Sequence, residues 1–142
     1  AYEQNLVSLA AKLGVSDMVQ FIGAVYDDVK YGLYRNADLF VLPTHSENFG
    51  IVVTESLASG TPVITTHGTP WKELSTENCG WWIPVGTAPL VEALREFLKK
   101  DEEDLEQMGR RGRHLVETRY SSETIASDFV RLYERLKENE NA

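Results

Sequence analysis

The chain has 142 residues, of which 42% are hydrophobic, 25% charged and 10% aromatic, and its formal net charge is −8. This composition is typical of a globular protein, and the length suits one domain with its own core. The acidic balance does not suit the phosphate-neutralising surface that nucleic-acid binders need, so we predict no nucleic-acid partner. The apolar runs are too short to span a bilayer and no signal-peptide pattern is seen, which predicts a cytoplasmic protein that does not insert into membranes.

The first third of the chain mixes helical and apolar segments. Residues 2–13 carry apolar side chains at helical spacing, and Gly14 stands where a helix C-cap belongs. The apolar run at 19–22 is interpreted as a first strand. The acidic pair at 27–28 can cap a helix that continues to about Arg35.

The middle of the chain predicts a parallel sheet. The runs at 39–42 and 62–66 show no alternation, which indicates strands buried on both faces, and 81–85 is a further strand. The β-branched residues that open segment 50–59 favour a strand by propensity. A strand there would leave no room for a parallel crossover, and Gly60 stands at a helix stop, so we predict a helix over 50–59.

From residue 87 onward the pattern is helical throughout. Thr87 starts one helix, Asp101 or Asp104 starts a second, and Ser121 or Ser122 starts a third. The third helix carries an apolar stripe made of Ile125, Phe129, Leu132, Tyr133 and Leu136. The predicted fold class is therefore α/β, a Rossmann-like open parallel sheet flanked by helices, followed by a C-terminal helical tail.

Two loops leave the carboxyl ends of the predicted strands, where open parallel sheets bind ligands. They are 43–50 and 67–71. The first runs into the helix predicted at Gly50, whose opening N–H groups, roughly those of residues 51–53, have no intrahelical acceptor. Glycine allows close approach and the helix dipole favours an anion, so a phosphate or diphosphate is the expected occupant.

Two carboxylates bracket this helix start. Glu47 precedes it and Glu55 lies inside the helix, eight positions later. Carboxylates repel a phosphate but accept hydrogen bonds from the hydroxyls of a ribose or a hexose, which together indicates a nucleotide-sugar. A glycosidase-type acid and base pair is the alternative, although placement on one loop and helix favours binding.

Other chemically suggestive residues have simpler explanations. Trp81 and Trp82 are adjacent in a predicted strand, so packing is favoured over sugar stacking, whereas Trp71 is balanced between the two roles. His45 and His67 lie on the two loops, too few for a metal centre, and we predict no metal. The single cysteine, Cys79, excludes an internal disulfide and is expected to be buried. The arginines at 110, 111 and 113 lie among acids and predict a solvated helix face.

The segment Glu47-Asn48-Phe49-Gly50-Ile51-Val52-Val53-Thr54-Glu55 resembles the E-x7-E motif of retaining glycosyltransferases with the GT-B fold, especially family 4, the glycosyl transferases group 1. The order of the surrounding segments is also similar to that family over nearly the whole chain. These segments are 19–23, Ala37-Asp38, 55–63, Gly80, Met108-Gly109 and Gly112-Arg113. One departure is that Gly68-Thr69-Pro70-Trp71 replaces the family's usual Gly-Gly stretch.

The resemblance implies a role for each matching residue. Glu47 would contact the donor sugar as the catalytic position, and Glu55 would bind the ribose. The stretch Val25-Tyr26 would lie along the nucleotide base. The positions that would hold the donor sugar and diphosphate are Asn48, Phe49, Gly50, Ile51 and Val52.

The resemblance further implies that 1–142 is the single donor-binding domain, the C-terminal half of a larger enzyme shortened at its N-terminal side. The acceptor site and the basic clamp on the diphosphate would then come from missing parts. No cofactor is expected, and the isolated piece is expected to be inactive and to self-associate. Two alternatives stay open: a non-catalytic nucleotide-binding module, and a related GT-B phosphorylase or epimerase.

Overall fold

The computed structural model describes residues 2–140, with side chains to Lys137. Two compact units divide the chain between Lys30 and Tyr31. Along the chain the elements are α1 (Tyr2–Lys12), a 3-10 turn (Ser16–Met18), α2 (Asp27–Asn36), β1 (Phe40–Leu42), α3 (Ile51–Ala58), β2 (Val63–Thr66), α4 (Glu73–Thr76), β3 (Gly80–Ile83), α5 (Thr87–Phe97), α6 (Glu102–Arg119) and α7 (Ser122–Glu140). No helix among these described residues combines the length and apolarity needed to cross a bilayer.

The first unit contains α1 and the 3-10 turn. The predicted helix over 2–13 is confirmed as α1, and the N–H of Gly14 closes its end by donating to the carbonyl of Ala11 at 3.1 Å. The strand predicted at 19–22 is wrong, because these residues join no ladder. A strand requires a neighbour with which to exchange backbone hydrogen bonds, and no described residue of this unit belongs to a strand.

The second unit is built on a parallel sheet in the order β1-β2-β3, which confirms the predicted fold class. Every residue of the central strand β2 is buried, including Thr65 and Thr66, as the absence of alternation in this segment predicts. Strand β1 is only half-buried, which corrects the expectation of burial on both faces. The reason is position, because β1 pairs with β2 alone within the described sheet.

Helix α3 follows directly from Gly50, which confirms the helix predicted over 50–59. Its β-branched start is overridden by packing, since Val53, Ser56 and Leu57 are wholly buried on one face. The helix closes as predicted, with the N–H of Gly60 donating to the carbonyl of Leu57 at 2.9 Å. Tertiary burial therefore decides the conformation of this segment.

Helix α6 lies close against α3. A Cβ on Gly109 would overlap the carbonyl oxygen of Gly60, and one on Gly112 would come within 2.8 Å of Leu57 Cδ2. Of the two predicted starts, Asp101 caps the helix by accepting the N–H of Asp104 at 2.8 Å. This packing completes a core formed by Val53, Leu57, Val63, Trp71, Leu74, Cys79 and Leu115.

Candidate functional site

The two loops expected to frame a ligand site are joined to each other. After β1, loop 43–50 lies along loop 67–71, and the N–H of Glu47 donates to the carbonyl of Gly68 at 2.9 Å. The hydroxyl of Thr66, at the end of β2, donates to the carbonyl of Thr44. The carboxyl ends of β1 and β2 therefore present one connected surface that leads into α3.

Gly50 sets the geometry of the helix start. It adopts the left-handed conformation, with φ 77° and ψ 65°, and the helical residue Ile51 follows. A left-handed residue followed by a right-handed one turns successive N–H groups toward one concavity, the arrangement that binds anions. The N–H of Val53 is already bonded to the carbonyl of Gly50 at 2.8 Å, which removes it from the predicted donors. This conformation assigns the N–H groups of Gly50, Ile51 and Val52 to the concavity, and we refer to them as the amide nest. Gly50 is buried, Val52 is half-buried and Ile51 is exposed.

Glu47 lies directly beside the amide nest. Its Cγ is 3.2 Å from the position that a Cβ on Gly50 would occupy. Its Oε1 accepts the N–H of Asn48 at 2.9 Å, so the carboxylate folds back over its own loop. Both side chains are exposed. The carboxylate is thus accessible and positioned at the edge of an anion-binding concavity.

Glu55 approaches the amide nest from the helix. Helical periodicity places its side chain over the turn that contains Ile51 and Val52. It is half-buried, and its Oε2 accepts the hydroxyl of Tyr34 at 3.4 Å. Tyr34 is buried, and its carbonyl accepts the hydroxyl of Thr61 at 2.6 Å. Sequence reasoning missed Tyr34, because no local pattern connects α2 with a carboxylate 21 positions away.

An aromatic cluster packs against loop 43–50 on its core-facing side. Trp71 is fully buried, and its Nε1–H donates to the carbonyl of Phe49 at 2.5 Å. The ring centroids of Phe49, Trp71 and Tyr120 are separated by 5.0 to 5.7 Å. Burial settles the open alternative for Trp71 in favour of packing, because a fully covered indole has no face left for a sugar. Tyr120, the C-cap residue of α6, has no signal in the sequence that connects it with this loop.

The other two tryptophans are structural, as predicted. Trp82 Nε1–H donates to the carbonyl of Thr69 at 3.0 Å and so supports the second loop. Trp81 Nε1–H donates to Glu96 Oε2 at 2.9 Å. Cys79 is buried as expected, and desolvation, with a smaller contribution from the charge of Glu77, raises the pKa of its thiol to about 11. A thiol with this pKa is protonated at neutral pH and is a poor nucleophile.

Val25 and Tyr26 lie in the first unit, in the segment immediately before α2. The Tyr26 side chain is 72% exposed, and its carbonyl accepts the N–H of Lys30 at 3.3 Å. Their assignment to the nucleotide base stays a prediction.

A groove of about 410 Å³ lies at the amino end of β3, at the other end of the strands from the amide nest. Polar side chains along it interact with one another or with backbone. Arg111 Nε donates to the carbonyl of Asn78 at 2.8 Å, and Lys100 lies 3.9 Å from Asp104. These internal partners account for its polar lining without a ligand.

The chain is similar to known proteins over most of its length. A family model described as "Glycosyl transferases group 1" matches residues 1–115. D-inositol 3-phosphate glycosyltransferase of Corynebacterium urealyticum is 30% identical over 133 residues, which covers 92% of this chain and 31% of that protein.

Two solved structures share the fold. Sucrose-phosphate synthase from Thermosynechococcus elongatus has a TM-score of 0.80 at 28% identity, covering 96% of this chain and 34% of that one. A glycosyltransferase involved in lipopolysaccharide biosynthesis has a TM-score of 0.70 at 32% identity, covering 81% of this chain and 31% of that one. This chain therefore spans about a third of the length of these proteins.

Proposed function

Because this chain belongs to the glycosyl transferases group 1 family, we propose that it binds the nucleotide-sugar donor of a retaining family 4 hexosyltransferase. The observation that carries the proposal is the amide nest at Gly50 with a carboxylate on each side. A concavity suited to an anion, between two groups that accept hydrogen bonds from hydroxyls, supports the binding of a diphosphate that carries a sugar at each end.

The diphosphate occupies the amide nest. Three backbone N–H groups and the positive end of the α3 dipole complement its negative charge. Backbone donors are suited to this task because they are fixed by the helix and need no reorganisation when the ligand arrives. No lysine or arginine occurs between residues 36 and 71, so the nest provides the attraction for the diphosphate at this point of the chain.

Glu47 and Glu55 bind the two sugars at either end of the diphosphate. Glu55, held by Tyr34 over the first turn of α3, accepts hydrogen bonds from the ribose hydroxyls. Glu47, at the outer edge of the nest, contacts the hydroxyls of the transferred hexose and is the catalytic residue of this half. A carboxylate in that position also stabilises the positive charge that develops on a sugar ring during glycosyl transfer.

The remaining parts of the proposal concern the whole enzyme. The acceptor, a glycan, lipid or other hydroxyl compound, is bound by the rest of a longer cytoplasmic protein, and transfer proceeds without a cofactor or metal. This chain alone is inactive, because transfer requires donor and acceptor in one closed site.

The test is calorimetry with two variants and two ligands. A panel of UDP, GDP and dTDP with their hexose conjugates first identifies the nucleotide that binds. Glu55→Ala should weaken the diphosphate and the nucleotide-sugar alike, by about tenfold or more, since each loses hydrogen bonds to a charged acceptor. Glu47→Ala should weaken only the nucleotide-sugar.

The control is Glu92→Ala, which removes an exposed carboxylate on α5 that pairs with Arg95. It should leave both affinities unchanged. Low salt is required because exposed electrostatic contributions are screened. If Glu47→Ala and Glu55→Ala weaken both ligands equally, or neither changes binding, the assignment of sugar and ribose is wrong.

A further inference from the structure

One hydrogen bond connects the two loops at the amide nest through a buried side chain. Trp71 belongs to the loop after β2, and its Nε1–H donates to the carbonyl of Phe49, 22 residues away, at 2.5 Å. Trp71 is fully buried, whereas Phe49 is 39% exposed. The Phe49 carbonyl is therefore directed at the core, toward the indole.

The direction of that carbonyl fixes the direction of the next N–H. In a planar trans peptide the carbonyl of Phe49 and the N–H of Gly50 point opposite ways. Since the carbonyl faces Trp71, the N–H of Gly50 faces away from it. We propose that Trp71 is a positioning residue that holds the Phe49–Gly50 peptide so that its N–H joins the amide nest, an inference that rests on the proposed function.

The opposite orientation of the peptide would be costly for two reasons. A flipped peptide would leave the indole N–H of Trp71 buried without an acceptor, and a buried donor without a partner is unfavourable. It would also turn the carbonyl of Phe49 toward the anion in place of the N–H of Gly50. The indole therefore favours the one peptide orientation that binds a diphosphate.

The indole is itself held in place. Its ring packs against Phe49 at 5.2 Å and against Tyr120 at 5.0 Å between centroids. The hydroxyl of Tyr120 donates to Glu73 Oε1 at 3.3 Å, which ties the C-cap of α6 to α4. A donor fixed on both sides keeps its direction, which is what orienting a glycine peptide requires.

The test compares two matched tryptophan variants. Trp71→Phe removes the indole N–H that donates to the carbonyl of Phe49. Trp82→Phe removes the indole N–H that donates to the carbonyl of Thr69, which lies in the same loop as Trp71. The probe is the member of the UDP, GDP and dTDP panel that binds, compared with its nucleoside. Trp71→Phe should lower affinity for the diphosphate at least tenfold and leave that for the nucleoside within twofold. Trp82→Phe should change neither by more than twofold.

Glycine-labelled ¹⁵N spectra supply a readout that a purely packing role does not move. In the unsubstituted chain the Gly50 amide should shift strongly on addition of the diphosphate, and in Trp71→Phe this shift should be lost while the other glycine signals keep their positions. Equal loss of diphosphate and nucleoside binding, or an unchanged Gly50 shift, would overturn the proposal.

A measurement on the unsubstituted chain covers the case in which Trp71→Phe does not fold. Ligand binding and the indole hydrogen bond favour the same peptide orientation, so the diphosphate should slow hydrogen exchange of the Trp71 indole N–H and leave that of Trp82 unchanged. No slowing at Trp71 contradicts the inference. Failure of the unsubstituted chain to bind any diphosphate contradicts instead the proposed function on which the inference rests.

Discussion

The hydroxyl of Tyr34 lies 3.4 Å from Glu55 Oε2 and donates to it, which connects a buried tyrosine of α2 with the carboxylate assigned to the ribose. Tyr34 is fixed from two further directions. Its ring packs edge-on against Phe40 at 5.4 Å between centroids, and its carbonyl accepts the hydroxyl of Thr61. The side chain that orients Glu55 is thus built into the contact between α2, β1 and the segment before β2.

We expect Tyr34→Phe to weaken binding of a ribonucleoside diphosphate by about two- to tenfold, because the lost hydrogen bond is long, at 3.4 Å, and acts on the ligand only by orienting Glu55. The effect should be smaller for the 2′-deoxyribose analogue, because Glu55 then has fewer hydroxyls to bind. Calorimetry with the two ligands measures the difference. Tyr133→Phe, at an exposed position of α7, is the control and should have no effect. If Tyr34→Phe lowers the affinity for the ribose and deoxyribose ligands equally, Tyr34 does not contribute to ribose binding.

Because α3 and α6 are in close contact, adding a single methyl group at Gly109 should greatly lower the stability of the protein. Gly109→Ala would drive a Cβ into the carbonyl of Gly60, and backbone cannot rotate aside, so we expect destabilisation by about 3 kcal/mol. Gly32→Ala is the matched control, because a Cβ there meets nothing within 4 Å and helix propensity improves by about 0.5–1 kcal/mol. Urea unfolding measures both. Similar effects of the two substitutions would contradict the packing described.

Cys79 predicts a pH dependence of stability in the alkaline range. Burial raises the pKa of its thiol from 9.0 to about 11, so the folded state favours the protonated form. This contribution is complete below the unfolded pKa and is lost as the pH rises toward 11, at most about 2.7 kcal/mol in all. Between pH 8.5 and 10.5 the unfolding free energy of Cys79→Ala should fall less steeply than that of the unsubstituted chain. Parallel curves in urea unfolding would show that the thiol does not contribute.

The exposed stripe of α7 predicts association with a second copy. Ile125, Phe129, Leu132 and Leu136 follow the 4-3-4 spacing of a coiled-coil seam, and the first three are 43–56% exposed. Asp128 and Arg135 are seven residues apart, so both flank the seam at the same heptad position. In an antiparallel pair of α7 helices, Asp128 of one copy lies opposite Arg135 of the other, and the charges are complementary. Since Leu136 is also 52% exposed, the seam extends over three turns.

Sedimentation should therefore show a concentration-dependent dimer of this chain. Arg135→Asp should weaken it, and Asp128→Arg combined with Arg135→Asp should restore it, because the charges are exchanged but remain complementary. A monomer at high concentration, or no recovery in the double variant, would rule out this pairing.

The elements that the sequence alone determined are those fixed by neighbours in the chain. The missing alternation in β2, the stop at Gly60 and the spacing from Glu47 to Glu55 all act within a few residues, so the parallel α/β fold and the location of the candidate site were predictable. The start of α6 was predictable only as Asp101 or Asp104, and the structure shows that Asp101 is the cap. The helix at α3 was predictable too, although only through the argument that a strand there leaves no room for a crossover.

Tertiary structure decided whatever depended on partners far along the chain. Within the part of the chain that the structure describes, the strand expected at 19–22 has no neighbour to pair with, and β1 is half-buried because it lies at the edge of the sheet. The role of Trp71 depends on a carbonyl 22 residues away, and the orientation of Glu55 on a hydroxyl 21 residues away. Local spacing encodes backbone conformation, but whether an indole is exposed to a sugar or buried beneath a peptide is decided only when distant segments pack together.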